Sequence, residues 1–210
     1  MFKLRNVWHD LKVTKQFIIV ATIIFAVSIY VGMTNEGFTV FLNNQMNAMG
    51  QLVEQIDQSG NPTMSMMIFI FFNNAIKSVM VIFLGAFFGI FPVFFLAING
   101  MLIGYILKLS IDGQMAISLF DLVVKTLLPH GILEIPALII VAAYGLRLGR
   151  LLFSTMWALI SNHNKLESIG ASYKDTLKRC GVIALYATVV LLIASIIEST
   201  FTMWLASTIN

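Results

Sequence analysis

From Phe17 onward the chain alternates long apolar runs with short polar breaks. A helix that crosses a bilayer needs roughly 17–25 mostly apolar residues. Phe17–Met33 lies uncharged between Lys15 and Glu36 and predicts a first span near 17–33. Met66–Leu109 is almost wholly apolar and too long for one span. Gly85, Gly89 and Pro92 permit a turn inside it, which predicts spans near 64–85 and 90–109. Two further runs predict spans near 131–149 and 181–205. No small-residue cleavage site follows the first run, so it is expected to remain as a span.

Three other stretches have helical periodicity without the length to cross. In 2–15, Leu4, Val7, Trp8 and Leu11 share a face, and in 38–56, Phe38, Phe41, Leu42, Met46, Met49, Leu52, Val53 and Ile56 recur at helical spacing. Both predict amphipathic helices lying on the membrane, the second ended by the turn Asp57–Pro62. In 114–128, Gln114, Ser118, Asp121 and Lys125 form one polar stripe, with Asp121 and Lys125 as an i,i+4 pair. At about 15 residues this segment is short for a span and predicts an interfacial or re-entrant helix that does not cross. The expected fold is an all-α, polytopic membrane bundle of about five spans plus these helices, in one domain covering 1–210.

Composition agrees: of 210 residues, 59% are hydrophobic and 11% charged, with a mean hydropathy of +0.90, against about 25% charged in soluble domains. The charges give an orientation. Residues 1–16 carry Lys3, Arg5, Lys12 and Lys15 against Asp10, a net +3. Residues 34–63 carry Glu36, Glu54 and Asp57 with no basic residue, a net −3. Residues 147–179 carry six basic residues against Glu167 and Asp175, a net +4. Basic segments stay in the cytoplasm. The expected topology puts the N-terminus there, segment 34–63 outside and, after five spans, the C-terminus outside. The net charge of +3 therefore follows topology and argues for membrane lipid as the partner, not nucleic acid. Cys180 is the sole cysteine, which excludes an internal disulfide and a cysteine-rich metal cluster.

Ionisable residues inside spans are the strongest anomaly, because a charge at the bilayer centre costs at least about 2.5–3.5 kcal/mol. Lys77 falls near mid-membrane, one turn from Asn73 and Asn74; His130, Glu134 and Glu198 fall in the outer half. Either they form a shared polar site, with Asn99 beside them, or a Lys–Glu pair fixes helix register. Pro129 suits a helix start. From there His130 and Glu134 share a face at i,i+4, and Pro136 frees the carbonyl of Ile132 and predicts a kink. His130 and Glu134 suit a divalent metal such as zinc, but two ligands are too few for a structural site; Glu198 or a second subunit would have to add to them. Gly85/Gly89, Gly100/Gly104 and Gly145/Gly149 predict close helix packing, within the chain or in a homodimer. Asn74 precedes Gly85 and Gly89 by the same 11 and 15 residues that separate Glu134 from Gly145 and Gly149, a spacing expected of a parallel repeat. No metalloprotease, serine-hydrolase, phosphate-loop or dinucleotide signature occurs, so no enzyme activity is expected.

Asn73-Asn74-x-x-Lys77, Gly85-x-x-x-Gly89-x-x-Pro92, Asn99-Gly100-x-x-x-Gly104 and Pro129-His130-Gly131-x-x-Glu134-x-Pro136-Ala137 together resemble the stage II sporulation protein M family, an integral membrane domain of unknown function. The resemblance covers roughly residues 65–150, and the proline–histidine string is its specific part. It implies a membrane scaffold that works in engulfment during sporulation, with cell-wall hydrolases that degrade septal peptidoglycan as partners. The alternative is a metal-binding membrane protein, ion transporter or channel using His130 and Glu134; an intramembrane peptidase is more distant, for want of a nucleophile and base.

The topology is checked by labelling intact cells with an impermeant thiol reagent. In a Cys180→Ser background, a cysteine at Ser59 should react and one at Ser168 should not. The reverse pattern would overturn the orientation, and labelling at both would overturn the span count.

Overall fold

A computed structural model describes residues 4–161 and 166–209; Lys3 and Lys165, counted in the charge balance above, lie outside them. All regular structure among the described residues is helical. Helix α1 is Leu4–Thr34, and a 3-10 turn, Glu36–Phe38, leads into α2, Thr39–Asp57. Helix α3 is Pro62–Leu84 and α4 is Ile90–Ile111. Helix α5 is one rod, Leu119–Ser161, whose first turns are Leu119–Asp121 and a π-helical segment, Leu122–Leu127. Helix α6 runs as Leu166–Ile197, a second π-helical segment Glu198–Thr202, and Met203–Ala206. Five of these helices are long and apolar enough to cross a membrane, and the chain is a helical membrane bundle.

Local chemistry sets the boundaries. Asn61 caps α3, its side-chain oxygen accepting from the Met64 N–H at 3.2 Å, with Pro62 in the first turn where its missing N–H costs nothing. Between α3 and α4 the chain reverses over five residues, with Phe88 and Gly89 at φ of 58° and 73°. Ser118 caps α5, accepting from the Asp121 N–H at 3.1 Å, and the Asp121–Lys125 pair forms at 2.8 Å.

Three sequence expectations are corrected. Segment 2–15 is not a separate surface helix, because its described part is the first stretch of α1. Neither glycine nor proline occurs before Gly32, so nothing stops the helix between the amphipathic stretch and the span. Segment 114–128 is not a helix of its own either. Gly113, at φ 68°, ends α4, and Gln114 lies outside any helix, so it leaves the polar stripe; 119–127 then run straight into the fourth long helix. Pro129 accordingly lies inside α5 and not at a helix start. It has no N–H for the carbonyl of Lys125, and the widened π-helical turn stands directly upstream of that defect.

Two parallel helix pairs make the frame. Helices α1 and α4 pack through Gly100 against Phe25 and Ser28 and through Gly104 against Ile29, and Gly32 abuts the Met101 backbone. A methyl group added at Gly100 would stand 2.8 Å from the Phe25 carbonyl oxygen. Helices α3 and α5 meet at Gly85 on Gly145, and the turn after α3 meets α5 at Gly89 on Gly149, backbone against backbone. All six predicted glycines are thus used within the chain. The matched spacing that suggested a repeat is the register of these two parallel neighbours, offset by 60 residues, the same offset as the Asn74–Glu134 hydrogen bond. Between the pairs lies a core of Phe25, Ile82, Leu96, Val141, Tyr144 and Leu148. Helix α6 runs antiparallel to α5, placing Leu191 on Ala137 and Leu138.

Outward, the spans show Ile19, Ile23, Val27, Phe72, Phe83 and Val189, all exposed, as lipid contact requires. At the basic end, Arg147 donates to the buried Thr14 hydroxyl at 3.0 Å, and Arg179 pairs with Asp10 and with Asp175, the latter at 2.7 Å.

Glycine contact predicts an asymmetric response. Gly145→Val must push back Pro92, whose ring carbon would lie 2.6 Å from an added methyl, together with the Val81 carbonyl at 2.7 Å. It should cost at least about 1–3 kcal/mol in detergent melting. Gly170, with nothing within 4 Å, should accept alanine without loss. Equal melting of the two variants would contradict the close approach.

Candidate functional site

The α3–α5 register carries polar side chains to one level. Asn74 is 12 residues from the start of α3, about 18 Å along the axis and so near the middle of the span. Its amide Nδ2 donates to Oε1 of Glu134 at 3.0 Å. One turn on, Lys77 is exposed and lines the same space. His130 lies one turn before Glu134 on the same face of α5. The antiparallel run of α6 brings Glu198, first residue of its π-helical segment, to the same place.

These residues line a half-open cavity of about 780 Å³. Asn73, Asn74, Lys77, Asn99, His130, Glu134 and Glu198, the seven polar-site residues read from the sequence, all line it. Apolar side chains, among them Phe69, Ile98, Leu102 and Ile135, complete the wall. Asn99 satisfies its own amide on the Phe95 carbonyl at 2.8 Å. Polar groups in hydrocarbon need partners or a water-lined space, and this cavity supplies such a space.

The anticipated Lys–Glu pair takes another form. Among the described residues no ion pair joins Lys77 to Glu134 or Glu198; Lys77 is near enough to feel the Glu134 charge, but the amide of Asn74 holds the carboxylate. One ligand atom from each of His130, Glu134 and Glu198 lies within 4.8 Å of the others. The sequence had left open whether Glu198 would join the other two, and the fold brings it there from within the same chain.

Sequence reasoning missed the contribution of α2. Gln45 and Met49 line the cavity. Leu42 on the same face is fully buried against Met101 and Tyr105, and Tyr105 donates its hydroxyl to the Asn43 side chain at 2.8 Å. Helix α2 therefore contributes to the wall of the cavity. The signal was present as the run Leu42, Gln45, Met49, spaced 3 and 4, in which a glutamine interrupts an apolar face.

Compared with known proteins, the chain matches a family model described as Stage II sporulation protein M over residues 17–203, nearly its whole length. No curated protein and no solved structure matches.

The Asn74–Glu134 contact gives a test of the site. Asn74→Leu removes the donor and leaves a part-buried carboxylate without it, which should cost about 1–3 kcal/mol in detergent melting. Glu134→Met added to it should recover part of the loss, since both partners are then apolar. Strictly additive losses would show that the bond does not support the bundle.

Proposed function

We propose a function for a chain that belongs to the stage II sporulation protein M family: a non-enzymatic, multi-pass membrane scaffold that offers α2 as a docking surface. What supports the reading is the state of α2. It is pinned to α4 by Leu42 and by the Tyr105–Asn43 hydrogen bond, yet Val40 is 73% exposed and Phe41 next to it is exposed as well. A helix held in place by one face while large apolar groups stand out from the other is a surface ready for a partner or for lipid. The charge pattern supports an orientation with the N-terminus in the cytoplasm and α2 and the C-terminus outside. On that side the partners in keeping with the family resemblance are hydrolases acting on septal peptidoglycan.

A second reading, ion passage, draws on the mid-span cavity with its acidic groups. Flux measurements separate the two. Proteoliposomes holding the purified chain should show no saturable uptake of zinc, manganese or protons. Saturable uptake abolished by Glu134→Gln would overturn the scaffold in favour of transport. In cells lacking their own copy, Val40→Arg should reach the membrane at normal level and fail to restore the wild-type phenotype, whereas His130→Ala should restore it. Restoration by Val40→Arg and failure of a folded His130→Ala would likewise contradict docking through α2.

A further inference from the structure

We propose that His130, Glu134 and Glu198 bind one divalent transition-metal cation, zinc foremost, in the cavity between α3, α5 and α6. The site goes beyond the scaffold reading and does not depend on it. Its geometric basis is convergence: one ligand atom from each side chain within 4.8 Å of the other two, from residues 64 apart in sequence at Glu134 and Glu198. A second observation is independent of that distance. The Nδ1 atom of His130 is buried and has no hydrogen-bond partner. Histidines inside membranes ordinarily find partners, so a buried imidazole nitrogen without one, beside two carboxylates, marks a place where something else supplies the bond.

Charge points the same way. Two carboxylates this close repel each other, the more so away from water. Lys77 lines the cavity, and among the described residues no ion pair joins it to either, so it does not discharge them directly. A divalent cation does, and an imidazole with two carboxylates suits zinc and its first-row neighbours better than calcium or magnesium, which favour all-oxygen shells. Asn74 acts as a support. By holding Oε1 of Glu134 it steadies the carboxylate, as outer partners of metal ligands do. Tetrahedral zinc, with bonds of about 2.0–2.2 Å, sets its ligands about 3.4 Å apart. The three side chains must therefore draw in by up to about 1.4 Å, within reach of glutamate rotamers. Three protein ligands leave a fourth position for water, which the cavity accommodates.

The test uses the full chain without a histidine tag, purified in detergent and stripped with chelator. Adding zinc chloride should raise the melting temperature saturably and load about one zinc per chain; magnesium chloride should do neither. His130→Asn and Glu198→Gln should each weaken zinc binding by at least about tenfold. Lys77→Met should bind zinc at least as tightly as the wild type, because it removes a competing positive charge. If a ligand variant fails to fold, the X-ray absorption spectrum of the zinc-loaded wild type decides, with a nitrogen and oxygen shell expected. Absence of a saturable zinc effect on folded wild type, undiminished binding by folded His130→Asn and Glu198→Gln, or a sulfur ligand from Cys180 would each overturn the site.

Discussion

The backbone contact between Gly145 and Gly85, repeated one turn further on between Gly149 and Gly89, is the constraint on which the rest of the structure depends. Lipid tails are as apolar as leucine, so helices in a membrane gain little from hiding apolar side chains from one another; association rests on packing and on interhelical hydrogen bonds. Removing every side chain at the contact lets two helices approach until their backbones touch. At that separation the register can no longer slide, because a neighbouring residue with a side chain would collide. The register then carries Asn74 onto Glu134, three turns from the nearer glycine contact.

Fixing that register in turn explains why costly groups are tolerated at mid-span. A lone carboxylate in hydrocarbon is unfavourable by several kcal/mol, but Glu134 meets an amide donor and a cavity rather than lipid. Both π-helical segments adjoin this site: one ends just before Pro129 and His130, the other begins at Glu198. A π turn rotates the side chains that follow it relative to an unbroken α-helix, and the first of these segments stands ahead of His130 and Glu134. The residues that carry the family resemblance therefore serve two linked purposes. The glycines set the approach, and the asparagines, histidine and acids occupy the space the approach creates.

Much of this was legible in the sequence. Five spans followed from apolar run length alone, because that signal needs no partner to interpret it. The polar site was legible because Lys77, His130, Glu134 and Glu198 stand out against apolar neighbours. What the sequence hid depends on tertiary contact. The 11- and 15-residue spacing looked like an internal duplication, and only the fold identifies it as the register of parallel neighbours. The first helix passes from an amphipathic stretch to a span without a break, and periodicity marks changes of environment, not ends of helices. Pro129 was read as a helix start because proline is comfortable there, but a π-helical turn accommodates it within a rod. Gln45 could not be assigned to the cavity, since its place depends on how Leu42 and Asn43 anchor α2 to α4.

Thiol cross-linking in membranes tests the parallel α3–α5 register most directly. In a Cys180→Ser background, cysteines at Asn74 and Glu134 should join through a short bifunctional reagent. Pairing Asn74→Cys with Thr126→Cys or Ala142→Cys, each about two turns and about 12 Å along the helix from Glu134, should give little product. Equal cross-linking of all three pairs, or preference for a displaced one, would contradict the register and with it the assembly of the polar site.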